Sequence, residues 1–167
     1  MWKVIAVLSI SFIFSGCNLM PENLRVAEKV ELLPFDEVGD MDLEPTNYQA
    51  LWGGVIASTV NFEDRTLVEV IYFPLSESGR PDIDGESLGR FRVYVGDFVD
   101  PFVYRPGRTV TVLGTLGVRE KGLVGRYPYD YTVLHCLELH LWNDMEQISM
   151  PPRMDQYFQT SPAFSYQ

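Results

Sequence analysis

Hydrophobic and polar positions follow three different patterns along this chain. Residues 4–14 form one apolar run behind the charged Lys3, whereas residues 18–48 show no sustained period of either a helix or a strand. From residue 51 onward, β-branched and aromatic runs are broken by turn residues about every ten positions, which is typical of an all-β sandwich or barrel. The pattern therefore predicts one β-rich body preceded by two segments of another kind.

The β-rich region predicts five strands. They span residues 51–60, 66–73, 88–95, 109–116 and 131–142, and Glu120-Lys121-Gly122 is predicted to turn the chain between the last two. Five strands in a meander-like run over residues 51–142 favour an all-β fold, a small five- to six-stranded antiparallel OB-like barrel, because closure removes exposed strand edges. A two-sheet sandwich is the alternative.

Alternation inside these strands predicts which side chains are buried. In the third strand, one face carries Phe91, Val93 and Val95 and the other carries Arg90, Arg92 and Tyr94. In the last strand, one shared face is predicted for Val133, His135, Leu137, Leu139 and Leu141. The paired glycines Gly53-Gly54 predict a bulge or a place where another backbone comes close.

The two flanks of the barrel region have a different composition. Residues 17–50 are polar and acidic with Pro21, Pro34 and Pro45, which favours a spacer that lifts the domain off a membrane. A packed N-terminal arm that covers a sheet edge is the alternative. Residues 143–167 carry three prolines among polar residues, so we predict a flexible C-terminal tail.

The N-terminus has the composition of an export signal. A charged start, an apolar run too short to span a bilayer and the small pair Ser15-Gly16 predict a signal peptide over residues 1–16 that is cleaved. The segment Phe14-Ser15-Gly16-Cys17 resembles the bacterial lipobox, with Phe14 where Leu is usual. This resemblance implies that Cys17 becomes the acylated first residue, and Asn18 in place of Asp implies the outer membrane rather than the inner one.

Charge and cysteine content narrow the class of protein. The chain has 13 basic and 23 acidic residues and a formal net charge of −10, which disfavours nucleic acid as a partner. Once Cys17 is acylated only Cys136 remains, so no intramolecular disulfide is possible and stability must come from packing.

Few residues combine into a pattern with catalytic or metal-binding chemistry. Cys136, Glu138 and His140 share a predicted strand face, but three such ligands would span about 13 Å, too far for one ion with bonds of about 2 Å. The Asp82–Glu86 run has its glycine out of place for a calcium loop, and Asp100-Pro101 is more typical of a cap or turn. A hydrolase using Asp97 or Asp100 is the weakest alternative, so we predict no enzyme, no metal and no cofactor.

Aromatic residues in the connections suggest another possibility. A small barrel could bring them to one end, where they either plug the barrel or present a surface that stacks sugar rings. The alternative function is therefore a small-ligand or glycan-binding module, and its candidate residues are Trp52, Phe102, Tyr104 and Tyr129.

Several ordered segments resemble the Slp family of outer-membrane lipoproteins, from Cys17 to about Trp142. The matching segments are Leu51-Trp52-Gly53-Gly54-Val55-Ile56, Glu69-Val70, Pro74-Leu75, Gly79-Arg80-Pro81, Ser87-Leu88-Gly89-Arg90-Phe91, Asp100-Pro101, Tyr104, Gly107-Arg108, Val110-Thr111-Val112-Leu113-Gly114, Tyr127-Pro128-Tyr129 and Leu141-Trp142. The resemblance implies a location but no reaction. We therefore expect a periplasm-facing, non-enzymatic envelope lipoprotein whose partners are outer-membrane lipid, through acyl chains on Cys17, and an envelope protein or glycan.

Overall fold

The computed structural model describes residues 20–27, 29–38 and 48–143. The predicted signal peptide, Cys17 and the predicted tail beyond residue 143 lie outside these ranges. A 3₁₀ turn, Glu22–Leu24, and a single helical turn, α1, Phe35–Val38, precede the strands. The strands are β1, Gln49–Asn61, β2, Thr66–Phe73, β3, Gly89–Val95, β4, Thr109–Val124, and β5, Tyr127–Leu141. None of the helical segments in the described ranges is long and apolar enough to cross a membrane.

The five strands close into a barrel in the ring order β1-β2-β3-β5-β4. The OB-like barrel is therefore confirmed, and the sandwich alternative is not the fold. Four pairings in the described chain are antiparallel, but β3 and β5 run parallel from Phe91 opposite Thr132 to Tyr94 opposite His135. The meander prediction is wrong at this point, because the chain crosses from β3 to β4 beside β1 before β5 returns next to β3. A parallel pair needs such a crossover, whereas an antiparallel pair needs only a tight turn.

Strands β4 and β5 are longer than their sequence pattern indicates. Glu120-Lys121-Gly122, predicted as a turn, lies inside β4 and pairs with β5, and the chain turns instead at Gly125-Arg126. From Gly117 onward, β4 extends as a hairpin with β5, and its side chains are mostly half-exposed or exposed. Because neither face of this extension is fully buried, the hydrophobic alternation that marks a strand in the sequence is weak there.

A bulge in β5 reverses which side chains face the core. The pairing moves from Leu113 opposite Glu138 to Gly114 opposite Cys136, which leaves Leu137 as an extra residue with 51% of its surface exposed. Leu134 and Cys136 pack inside before the bulge, and Leu139 and Leu141 pack inside after it. The predicted common face of Val133, His135, Leu137, Leu139 and Leu141 is therefore wrong, because one extra residue shifts the two-residue period.

The barrel interior is filled by aliphatic and aromatic side chains and is closed by part of the N-terminal segment. Trp52 is fully buried between Phe35, at 5.1 Å between ring centroids, and Phe91, at 5.5 Å. The Trp52 indole Nε1 donates a hydrogen bond to the Leu33 carbonyl, and Phe35 stacks on Tyr72 at 4.1 Å. Residues 33–38 thus pack against the barrel core.

Close backbone approach at the paired glycines is confirmed. A Cβ at Gly54 would overlap the carbonyl group of Ile71 on β2, and one at Gly53 would lie 2.7 Å from the side chains of Leu75 and Pro81. The bulge of β1 lies between Ile56 and Ser58 rather than at the glycines. The glycines therefore let β2 and the connection after it pack tightly against β1.

Candidate functional site

The outer face of β2 and β3 carries a network of paired charges. Arg90 Nη1 lies 2.7 Å from Glu69 Oε1, and Arg92 Nη1 lies 3.0 Å from Glu120 Oε2. The hydroxyl of Tyr94 donates to the Glu120 carboxylate at 2.9 Å. The polar face predicted for β3 is therefore confirmed, and its partners come from β2 and from the extension of β4. OB folds bind their ligands on this face.

Two tyrosine rings beside this charge network make cation–π contacts with arginine side chains. The Arg92 guanidinium lies 4.0 Å from the ring centroid of Tyr131, and that of Arg65 lies 4.7 Å from the ring of Tyr94. Tyr131 is fully buried because the hairpin extension folds against it, and a Cβ at Gly122 would lie 2.8 Å from its Cε2. Burial raises the pKa of Tyr94, and its hydrogen bond to Glu120 raises it further. Tyr94 therefore remains a neutral hydrogen-bond donor at physiological pH.

Next to this network, the tip of the β4–β5 hairpin and the start of β3 enclose an open cleft of about 430 Å³. Its lining residues are Ile71, Ser87, Gly89, Arg90, Val124, Tyr127 and Tyr129. The Arg90 backbone N–H donates to the Tyr129 hydroxyl at 2.8 Å, which fixes that ring, while Tyr127 is 71% exposed. One fixed and one exposed tyrosine beside apolar walls can hold a ring-shaped or amphipathic ligand by stacking and hydrogen bonding.

The four predicted ligand residues do not come together. Trp52 is inside the core, and Tyr129 lines the cleft. Phe102 and Tyr104 lie on the connection that follows β3, whereas Tyr129 lies beside Gly89, where β3 begins. Six residue steps of about 3.3 Å separate the two ends of β3, roughly 20 Å in all. Phe102 is 84% exposed, and the Tyr104 ring packs against the core and closes that end of the barrel.

Sequence reasoning missed most of the cleft. Ile71, Arg90 and Tyr127 were not among the predicted site residues, because they lie on three different strands that become neighbours only in the closed barrel. The sequence signal that could have located the cleft is the glycine at position 125. In the structure, Gly125 has a positive φ of 63° and lies in the hairpin turn. Placing the turn there would have put Tyr127 and Tyr129 on a strand beside β4.

The other candidate chemistry is used structurally. Asp100 Oδ1 accepts a hydrogen bond from the Phe102 N–H at 2.8 Å, which confirms Asp100-Pro101 as a turn initiator. Burial raises the pKa of the Cys136 thiol to about 11, and the nearby Glu138 carboxylate adds to the shift, so this thiol is protonated and unreactive at neutral pH. In residues 20–27, 29–38 and 48–143, no group of three His, Cys, Asp or Glu side chains could hold a metal ion.

The ring order and the parallel β3–β5 pairing define a five-stranded barrel of the OB class. Similar solved structures include a single-stranded DNA-binding protein from Streptomyces coelicolor, with a TM-score of 0.39 and 14% identity over 56% of this chain and 93% of that one. Another is the mitochondrial single-stranded DNA-binding protein Rim1 of S. cerevisiae, with a TM-score of 0.35 and 14% identity over 57% of this chain and 94% of that one.

The chain belongs to the outer membrane lipoprotein Slp family, whose family model matches residues 14–167. The outer membrane protein Slp of Escherichia coli K12 is 27% identical over 89% of this chain and 79% of its own length. The uncharacterized lipoprotein YeaY of the same organism is 26% identical over 98% of this chain and 85% of its own length. An uncharacterized protein of Haemophilus influenzae is 30% identical over 80% of this chain and 73% of its own length. The resemblance drawn from the sequence is thus confirmed.

Proposed function

We propose that this protein is an outer-membrane lipoprotein, acylated at Cys17 and facing the periplasm, that binds or braces envelope components without catalysing a reaction. The observation that carries the proposal is the family match, which begins at Phe14, the first residue of the lipobox-like segment Phe14-Ser15-Gly16-Cys17. Its partners are outer-membrane lipid, through the acyl chains, and an envelope protein or glycan.

The net charge of the chain and the free energy of burying acyl chains both favour covalent lipid as the anchor. The formal net charge of −10 opposes adsorption to anionic headgroups, so the folded domain has no electrostatic means of staying at a membrane. Each buried methylene contributes about 0.8 kcal/mol, and one saturated chain anchors a protein only marginally. Three chains on one residue would hold the domain essentially permanently.

The chemistry of the β2–β3 face supports a non-catalytic role. Its two arginines, Arg90 and Arg92, are matched by Glu69 and Glu120 at ion-pair distance. The remaining thiol, Cys136, is protonated at neutral pH. A face of mutually paired charges and stacked rings is suited to recognition and less suited to proton transfer.

Intact-mass spectrometry of the protein extracted from membranes tests the anchor. We expect a species that lacks residues 1–16 and carries three acyl chains, and we expect neither change in a Cys17→Ser variant. A Cys136→Ser variant is the matched control and should be processed like the wild type. Unmodified Cys17 in the membrane-bound protein would refute the proposal.

Protease treatment of whole cells tests the orientation of the domain. The protease should digest the domain only after the outer membrane is permeabilised.

The cleft favours a second candidate function, the binding of a small ligand or glycan. Its volume of about 430 Å³ and the two tyrosines at its rim are the supporting observations. Peptidoglycan fragments should be titrated into the acylated protein in detergent micelles and followed by calorimetry, because the buried Trp52 makes tryptophan fluorescence insensitive there.

A matched pair of aromatic variants makes this titration specific. Tyr127→Ala should weaken binding about tenfold, the value of one stacked ring, whereas Phe102→Ala, at an exposed aromatic outside the cleft, should leave it unchanged. Absence of binding at millimolar fragment, or equal losses in both variants, would contradict this function.

A further inference from the structure

The first residue that the structure describes, Met20, already packs against the barrel. The Met20 side chain lies beside Gly79, where a Cβ would be 3.2 Å from Met20 Cε and 3.8 Å from Leu24 Cδ1. Leu24 is fully buried, and the Arg25 Nε–H donates to the Met20 carbonyl at 3.1 Å. Met20 is therefore a fixed point on the surface of the domain.

The contacts of Gly79 show which side of the barrel this point occupies. The Thr111 hydroxyl on β4 donates to the Gly79 carbonyl at 2.7 Å, and the Trp142 Nε1–H donates to that hydroxyl at 2.9 Å. Leu75 and Pro81, from the same connection, lie over Gly53 on β1. Residues 75–81 thus cover the outer face of β1 and β4, and Met20 packs on that cover.

The covalent distance from this point to Cys17 is short. Three residue steps span at most about 11 Å even when fully extended. The headgroup region of one leaflet is about 5–7 Å thick. If Cys17 carries acyl chains, the surface at Met20 must lie within or immediately above the lipid headgroups, and the predicted spacer of residues 17–50 cannot lift the domain away.

We propose that the outer face of β1 and β4, covered by residues 75–81, rests on the lipid headgroups, so that the β2–β3 face and its cleft point away from the membrane. This inference rests on the proposed acylation of Cys17. In the ring of five strands, the middle of the β1–β4 pair is roughly two-fifths of the circumference from the middle of the β2–β3 pair. The tether thereby presents the cleft to the aqueous compartment.

The composition beside Met20 fits contact with headgroups. The Arg80 guanidinium lies 5.7 Å from the ring centroid of Trp142. Tryptophan is enriched at membrane interfaces, where arginine and lysine also act as anchors. Arg25 and Arg80 accompany Glu22 and Glu77 in this region, so the negative charge of the chain is not concentrated on it.

Three single-label variants test the orientation with closely matched positions. In a Cys136→Ser background, the exposed residues Glu77, Glu86 and Glu63 are each replaced by cysteine and labelled with one fluorophore. Glu77 lies two residues before Gly79, Glu86 precedes the cleft residue Ser87, and Glu63 follows Phe62 at the opposite end of β2. The acylated proteins are reconstituted in vesicles whose headgroups carry a quencher.

The label at Glu77→Cys should lose more than about half of its emission, because it lies at the headgroup layer, and the other two labels should lose much less. Equal quenching at all three positions, or stronger quenching at Glu86→Cys, would overturn the inference. Strongest quenching at Glu63→Cys would also overturn it, because the domain would then rest on the end that exposes Phe62, Phe98 and Phe102.

Two further measurements separate this inference from the proposed function. Intact mass of each labelled protein reports acylation, so unacylated protein refutes the anchor, and acylated protein with the wrong quenching order refutes only the orientation. A 20-residue Gly/Ser insertion between Leu19 and Met20, with an average reach of about 25 Å, should abolish the excess quenching at Glu77→Cys. Persistence of that excess would show that the face itself holds the orientation, which would overturn the inference that the short tether sets it.

Discussion

Strand β3 separates an apolar core on its inner side from a hydrogen-bonded polar surface on its outer side. On its inner side, Phe91 and Val93 are fully buried in a cluster that Trp52 and Phe35 complete. On its outer side, Arg92 and Tyr94 are held by hydrogen bonds to Glu120. Seven residues of one strand thus serve a dry core and a solvated polar surface together.

The difference between these regions indicates where the protein can change without unfolding. Burial of a large aromatic side chain contributes about 2–3 kcal/mol, and removing it leaves a cavity as well. Half-exposed ion pairs contribute about 0–1 kcal/mol because solvent screens them and ordering two long side chains costs entropy. The inner region therefore sets the stability of the barrel, whereas the outer region is free to be shaped for recognition.

The largest effect is expected inside the barrel. Trp52→Ala should lower the free energy of unfolding by about 3–5 kcal/mol, because it removes the ring that packs between Phe35 and Phe91 and leaves a cavity. Phe102→Ala, at an aromatic residue that is 84% exposed, should change it by no more than about 0.5 kcal/mol. Denaturant unfolding measures the free energy of unfolding of both variants. Similar losses in the two variants would show that the core and the exposed connection contribute equally to stability.

A smaller loss is expected at the arm that closes the core. Phe35→Ala removes a half-buried ring stacked on Tyr72 and should cost about 2 kcal/mol. Because α1 has only one turn, the amides of residues 35–38 should also exchange their hydrogens faster, while those of β3 stay protected. Unchanged exchange in α1 would show that Phe35 does not hold the arm.

On the outer side, Glu120→Gln should reduce the free energy of unfolding by no more than about 1 kcal/mol. The substitution keeps the size of the side chain but weakens its interactions with Arg92 and Tyr94. Glu63→Gln, at an exposed position on the β1–β2 connection, is the control and should have no measurable effect. A loss of several kcal/mol at Glu120 would mean that the outer network also stabilises the fold.

The smallest effect is a pH dependence from His140. Burial lowers the pKa of His140 below its usual 6.5, so the folded state binds a proton less readily than the unfolded state. Its contribution to stability is therefore complete above about pH 6.5 and declines as the pH falls toward the lowered folded-state pKa. His140→Gln should flatten this part of the stability profile, which denaturant unfolding at a series of pH values measures. A profile that keeps its slope in this variant would contradict the assignment.

Local pattern was sufficient where a strand has one buried and one solvated face. The turn at residues 61–65 and Pro74 predict the bounds of β2, alternation predicts the two faces of β3, and Gly53-Gly54 predicts close packing because a side chain is missing there. In these elements, the sequence period and the burial agree over the whole strand.

The sequence failed where burial depends on distant partners. Leu137 fits the apolar alternation of β5, so the pattern conceals that it is the extra residue of a bulge. Phe35 sits in a segment without periodicity, and only the open end of the barrel makes it part of the core. The cleft combines β2, β3 and the β4–β5 hairpin, and the strand order that places β5 parallel to β3 cannot be derived from local spacing.

If one modified residue holds this acidic barrel at the bilayer, the retention of the protein in washed outer membranes must depend on that residue. Wild type, Cys17→Ser and Cys136→Ser should be compared after a high-salt wash that removes electrostatic attachments. We predict that the wild type and Cys136→Ser remain with the outer membranes and that Cys17→Ser, which keeps residues 1–16, is missing from that fraction. A Cys17→Ser protein retained in the outer membranes as firmly as the wild type would show that another part of the protein holds it there.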